Sequence, residues 1–366
     1  MKNICVITGS RAEYGLLKGI MKEIENKSDL NLLLFVTGTH LEEKYGKTKN
    51  IIEQDGFKIN EEIFMNLNGD TSSDILNSMG IEMMEMSKRF TKYDIDYVLI
   101  LGDRYEMLVA AQIALINQIK LIHFCGGDVT EGAYDNSIRN AITKMSDYHL
   151  VTCESSYNNL LNMGEKKENI ILVGNPGLYD ILDFKPLEKH SFYEILKIKE
   201  RKRLFLIVNH SETLISKEEN KNNLDILINA LLDVDNFEET NFVFIHSNAD
   251  NHNEYIFKKI DSLCEKFNNI YGFKSVDRYL YLNLIYYCNY FIGNSSSGIY
   301  EVPLLKKITL NLGNRQLGRD SGNTVLNINY NKEEIKNILN QNIVISEISY
   351  PYTVRCPHEI LNMIPI

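Results

Sequence analysis

The stretch DYVLILGDRYEMLVAAQIALINQIKLIHFCGG, residues 96–127, decides the fold. It opens on an apolar run (DYVLILGD, 96–103), crosses a helix-length segment and closes on a second apolar run, KLIHFC (120–125). Short apolar runs without polar alternation are strands covered on both faces, and a helix between two of them makes them parallel neighbours in one sheet. The same unit recurs on either side, at KNICVIT (2–8), LLLFVTG (32–38), YHLVTC (148–153) and NIILVGNP (169–176). A second series starts near residue 200, with RLFLIVNH (203–210), NFVFIHSN (241–248), NYFIGNS (289–295) and KITLNLG (307–313). The reading is therefore α/β with two units, each with its own sheet, and 366 residues can bury two cores.

The helical segments carry the matching stripe. Leu17, Ile20, Met21 and Ile24 follow i, i+3, i+4, i+7, as do Ile138, Ala141, Ile142 and Met145. Ile75, Met79, Met83, Met86 and Phe90 share a face, which makes the Met-rich segment ordinary helix core. The segment GNPGLYDILDFKPLEKH (174–190), with two of the six prolines, reads as the crossing between units. The expected divisions are 1–176, 177–345 and a terminal segment, 346–366.

Composition removes several classes. Asp and Glu number 49 against 39 Lys and Arg, a net charge of −10, which argues against nucleic acid as a partner. Six cysteines without a C-x-x-C pair read as reduced core residues, neither disulfide framework nor zinc site. The chain enters a strand at once and has no apolar run of the ~18 residues that a membrane span needs, so the expectation is a cytoplasmic protein without membrane contact.

In doubly wound sheets ligands gather beyond the carboxyl ends of the strands, and there the polar clusters fall. TGSRAEYG (8–15) places Arg11 at a helix mouth but is neither a dinucleotide fingerprint nor a P-loop. GDRYE (102–106) and GGDVTEGAYDNSIRNAITKMSDYH (126–149) bring Asp103, Asp128, Glu131 and Asp135 to adjacent strand ends. Crowded acids raise one another's pKa, so one stays protonated beside an ionised neighbour, the condition for acid–base chemistry. Asp135 reads equally as a helix cap. NHSET and HSNAD set His210, His246 and Asn248 at later strand ends.

The stretch IGNSSSGIYEVPLLKKITLNLGNRQLGRDSGN (292–323) reads as an anion site. Ser295, Ser296, Ser297 and Gly298 open a helix with hydroxyls and unpaired N–H groups, Arg315 and Arg319 close over the charge, and Glu301 takes ribose hydroxyls, the alternative being a well-capped helix followed by a basic loop. Pro303 makes that helix short or bent.

With ITGSRAEYGLL, GDRYEMLVAA, GGDVTEGAYDNSIRNAITKMS, GNPGLYD, GNSSSGIYEVP and NLGNRQLGRDSGN in this order, the chain resembles UDP-N-acetylglucosamine 2-epimerases of the hydrolysing branch, which supplies sugars for sialic and legionaminic acids. The resemblance implies two Rossmann-like domains in glycosyltransferase-B architecture, an interdomain cleft, a C-terminal helix crossing back onto the first domain, and a homo-oligomer, dimer or tetramer. It implies a UDP-sugar substrate and neither cofactor nor metal. UDP is eliminated across C1 and C2 to a 2-acetamidoglycal, which water then converts to the free 2-epimer. By position Asp103 and Asp135 are the acids, His210 lies near the leaving phosphate, and Arg11, Ser295–Gly298, Glu301, Arg315, Arg319 and Asn248 contact the substrate.

Three departures bear on this expectation. Many relatives place an acid where Cys125 stands, and relatives often read Asp-Asp at Asp135-Asn136 and H-P-V-T at His210-Ser211-Glu212-Thr213. Asp128 or Glu131 would replace the missing acid, and a 2,4-diacetamido-6-deoxy sugar enters as a second candidate substrate, on UDP or GDP. A non-hydrolysing epimerase, a glycosyltransferase of the same architecture and a non-catalytic sugar-nucleotide sensor remain the alternatives.

Overall fold

A computed structural model describes residues 1–43, 46–67, 71–129, 135–212, 215–245, 254–274 and 276–366. The first compact unit comprises residues 1–179 and 352–366, the second residues 180–351.

In the first unit the elements run β1 (Lys2–Thr8), α1 (Arg11–Asn26), β2 (Leu30–Val36), α2 (Lys49–Gln54), β3 (Glu61–Glu62), α3 (Ser72–Phe90), β4 (Tyr97–Leu101), α4 (Tyr105–Ile116), β5 (Lys120–Phe124), α5 (Asp135–Met145), β6 (Tyr148–Val151), α6 (Glu154–Asn162) and β7 (Ile170–Leu172). The sheet has the order β3-β2-β1-β4-β5-β6-β7 and every pairing is parallel. The order reverses between β1 and β4, where the strand exits splay and leave a crevice. Leu17, Ile20, Met21 and Ile24 of α1 are all buried, as their spacing requires.

Helix α5 keeps three of its four stripe positions, with Ile142 in the core and Ile138 and Met145 packed against it. Its buried residues are Arg139, Ile142 and Thr143, and Ala141 is exposed. Arg139 and Thr143 widen the buried face because both have polar partners beneath the helix, described below.

The second unit begins within α7 (Tyr179–Leu182), at Asp180. It runs α8 (Lys189–Leu196), β8 (Arg203–Val208), α9 (Lys217–Leu232), β9 (Thr240–Ile245), α10 (Glu254–Lys266), β10 (Ile270–Phe273), α11 (Arg278–Tyr287), β11 (Tyr290–Gly293), α12 (Ser297–Tyr300), β12 (Ile308–Leu312), β13 (Val325–Ile328) and α13 (Lys332–Leu339). Its sheet, β10-β9-β8-β11-β12-β13, is again parallel and reverses between β8 and β11. The strands β3, β10 and β13 were not read from sequence; each is an edge segment of at most four residues, too short for a period. Helix α12 is a single turn ending before Pro303.

The chain returns to the first unit at Tyr352, which bridges Cys153, and α14 (Pro357–Met363) packs on α1 through Ile360 and Leu361. Residues 346–351, expected with the terminal helix, belong to the second unit, where Ser349 and Asn323 exchange bonds of 3.0 and 3.3 Å. Of the cysteines, Cys5, Cys153 and Cys288 are buried while Cys125, Cys264 and Cys356 are half-buried, so the core reading holds for three. Among the described residues no helix is long and apolar enough to cross a membrane.

Candidate functional site

At the β1–β4 reversal, the Ser10 hydroxyl caps α1 by accepting the Glu13 N–H (3.4 Å). Glu13 folds back so that Oε2 accepts the Gly9 N–H at 2.7 Å, and Oε1 faces Arg104 Nε at 3.7 Å. Arg104 forks onto Glu106, with Nε and Nη2 3.1 and 2.8 Å from Oε1. A third carboxyl, Glu82 of α3, accepts the Thr37 hydroxyl at 2.9 Å. Glu13, Glu82 and Glu106 are no more than 5% exposed. One guanidinium cannot neutralise three buried carboxylates. Burial, and then the charge of Glu106, raise the Glu13 carboxyl to about 7, and the same two causes drive Glu82 upward. Gly38 (φ +60°) closes over this group: a Cβ there would stand 2.5 Å from the Gly9 carbonyl oxygen and 3.0 Å from Glu106 Oε1.

Asp103, just past β4, is ion-paired with Arg139 of α5, and Arg139 Nη1 also donates to the Asp128 carbonyl at 2.6 Å. The Asp128 carboxylate turns into the protein, its Oδ1 accepting the Thr152 and Ser156 hydroxyls at 2.9 and 2.5 Å. Asp135 is the first residue of α5, its pKa raised by burial and pulled back by the charge of Arg104. His123 is fully buried between the Gly102 carbonyl (2.8 Å) and the Thr143 hydroxyl (3.4 Å), and burial lowers it to about 4, so it is neutral. Arg11 is exposed at the start of α1.

These positions correct the expectation of four mutually repelling acids. Asp103 has its own guanidinium, Asp128 is tied down by two hydroxyls, the first cause of the Asp135 shift is burial, and Glu131 lies outside the described residues. The acids that repel one another are Glu13, Glu82 and Glu106. They were missed as a group because each sits on a different helix. The signal was a carboxylate on an otherwise apolar face, as with Glu82 three and four positions from Met79 and Met86.

In the second unit, the β8–β11 reversal brings together His210, Asn294, Ser295, Ser296, Ser297 and Arg315. Asn294 Oδ1 accepts the His210 N–H at 2.7 Å, and Arg315 Nη1 donates to the Asn294 carbonyl at 3.1 Å. Burial, then Arg315, lowers His210 to about 4. At neutral pH it would meet a phosphate as an uncharged N–H donor.

The serine turn is more self-satisfied than expected. The Ser297 N–H points to the Ser295 hydroxyl (3.4 Å), the Gly298 N–H bonds the Ser295 carbonyl (3.0 Å), and the Ser297 hydroxyl bonds Tyr281. Gly298 serves packing: a Cβ would lie 2.6 Å from Thr309 Cγ2. With a single helical turn behind it, an anion here would be held by Ser296, His210 and Arg315, with little help from a helix dipole. Arg319 does not join them; its guanidinium lies 5.4 Å over the Tyr300 ring. Glu301, half-buried, is ion-paired with Arg278, which Asp180 also holds at 2.8 Å. Asn248 and His246 lie outside the described residues. Among the described residues no cluster of His, Cys, Asp or Glu is arranged to hold a metal ion.

Two doubly wound domains with polar clusters at their sheet reversals define the glycosyltransferase-B-like class. The solved S. aureus MnaA–UDP co-structure shares this fold at a TM-score of 0.76, with 18% identity, covering 100% of this chain and 98% of that one. The chain belongs to the family described as UDP-N-acetylglucosamine 2-epimerase, whose profile matches residues 22–353. It is 37% identical over 337 residues to the polysialic acid biosynthesis protein P7 of Escherichia coli, covering 92% of this chain and 84% of that protein. It is 35% identical over 319 residues to the GDP/UDP-N,N'-diacetylbacillosamine 2-epimerase (hydrolyzing) of Campylobacter jejuni, covering 87% and 82%.

Proposed function

We propose that the protein is a hydrolysing 2-epimerase of a nucleotide-linked 2-acetamido sugar, converting UDP-GlcNAc and water to ManNAc and UDP. The observation that carries this reading is the contrast between two acids at neighbouring strand ends. Asp103 is paired with Arg139, whereas burial holds the Asp135 carboxyl above its ordinary range. An acid held in an ion pair and a neighbour held toward its protonated form are suited to different roles in proton transfer.

The C2–H is not acidic in the substrate, so C1–O cleavage must lead. The electron pair of that bond leaves with UDP, the cationic character built at C1 acidifies C2–H, and a carboxylate takes the proton to give the 2-acetamidoglycal. Water then adds at C1 and a proton at the opposite face of C2. The second unit would hold the nucleotide: Ser296, His210 and Arg315 at the diphosphate, Glu301 at ribose. Arg11 is assigned to the leaving diphosphate by family position. Ser295, Ser297 and Asn248 would add contacts to the nucleotide and Gly298 would act through packing, while Arg319 would close over the charge only by leaving the Tyr300 ring.

A second reading keeps the reaction and changes the sugar to a 2,4-diacetamido-6-deoxy hexose on UDP or GDP. The Campylobacter relative's name favours it. An NMR time course in D₂O with both UDP-sugars tests the proposal. Free UDP and a free 2-epimerised sugar deuterated at C2 are expected; a UDP-linked 2-epimer without free UDP refutes hydrolysis.

A further inference from the structure

Asn294 organises the anion loop, and the reaction written above gives it no task. It is fully buried at the exit of β11. Its side chain grips both faces of one residue's backbone: Oδ1 accepts the His210 N–H at 2.7 Å and Nδ2 donates to the His210 carbonyl at 2.9 Å. Its own carbonyl accepts Arg315 Nη1 at 3.1 Å and Gln316 Nε2 at 2.8 Å. Glu212 completes the arrangement, its carboxylate accepting from the Asn294 side chain and from the Asn314 N–H. Gly313 (φ +70°) makes room for it, since a Cβ there would stand 2.3 Å from Glu212 Oε1. Three strand exits, those of β8, β11 and β12, therefore hang on one buried amide and one carboxylate.

We propose that Asn294 and Glu212 are positioning residues that hold His210 and Arg315 in register around Ser296 for a nucleotide diphosphate. This rests on the diphosphate reading of that loop. The physical reason is preorganisation. His210 and Arg315 sit on separate loops, and each would lose conformational freedom on binding unless already fixed. A buried amide with its donors and acceptors satisfied fixes them, because every alternative position strands a polar group away from water.

Asn294→Asp preserves shape but sets a second carboxylate beside Glu212 and against the His210 carbonyl. UDP affinity by calorimetry is expected to fall about tenfold or more, the scale of one lost charge-assisted bond. Glu212→Gln, a milder change at a half-buried position, is expected to weaken UDP about threefold or more and keeps the test open should Asn294→Asp not fold. In the double variant the amide that Glu212→Gln introduces donates to the new carboxylate, restoring one bond in reverse, and part of the lost affinity returns. A merely structural role would lower the melting temperature and leave the folded protein's UDP affinity at the wild-type value, which would overturn the proposal. Failure of the wild-type protein to bind UDP would instead overturn the diphosphate reading, and this inference with it.

Discussion

Replacing Glu13 by Gln is expected to leave stability nearly unchanged at pH 4 and to raise it at pH 8. The folded carboxyl titrates at about 7 against 4.5 in the open chain. Below 4.5 it is protonated in both states and costs nothing. Between 4.5 and 7 the folded protein keeps a proton that the unfolded chain has released, so stability falls as pH rises; above 7 the loss is complete. A shift of about 2.5 units at 1.36 kcal/mol each makes that loss roughly 3 kcal/mol. Little of it is screened by solvent, because Glu13 is 5% exposed. Glutamine keeps an oxygen for the Gly9 N–H and cannot ionise, so it removes the pH-dependent cost. Urea unfolding of both proteins at pH 4, 6 and 8 measures the difference. A gain of equal size at pH 4 and pH 8, or a loss at pH 8, would refute the reasoning, and with it the raised carboxyl that burial gives Glu13.

Asp103→Asn is expected to keep near-native UDP affinity while turnover falls by ~10²-fold or more, the usual scale for an acid–base group; steady-state kinetics beside calorimetry separates the two. Asp135→Asn should behave alike, and near-wild-type turnover would remove Asp135 from the proton-transfer groups. Asp128→Ala strands the Thr152 and Ser156 hydroxyls and should lower unfolding stability by about 1–3 kcal/mol; unchanged stability would return its carboxylate to the list of proton-transfer groups. Ser296→Ala or Arg315→Ala should weaken UDP about tenfold or more, and unchanged affinity in both variants would remove the anion site from that loop.

Helix α5 shows where the sequence can be read and where it cannot. An apolar run such as KNICVIT states its own burial, since every residue in it loses by meeting water whatever its neighbours are. The parallel sheets, the two units and the placing of polar clusters at strand exits were legible for that reason. Arg139 carries no such statement: by spacing it lies beside the stripe of Ile138, Ala141, Ile142 and Met145, yet it is buried and Ala141 is exposed. What holds Arg139 inward is Asp103, 36 positions earlier, just past β4.

The candidate site repeats this pattern. Asp103, Asp135, Ser296 and Arg315 could be named from their residue types and their positions after apolar runs. Their partners could not. Glu13 meets Glu106 because β1 and β4 are neighbours at the sheet reversal, and Asn294 reaches His210 across 84 positions for the same reason between β8 and β11. Local sequence determined which residues must leave water and where strands end. Strand order and register decided which acids share a pocket, which carry a counter-ion and which are tied into the fold, because the energy of a buried polar group depends on the one partner it meets.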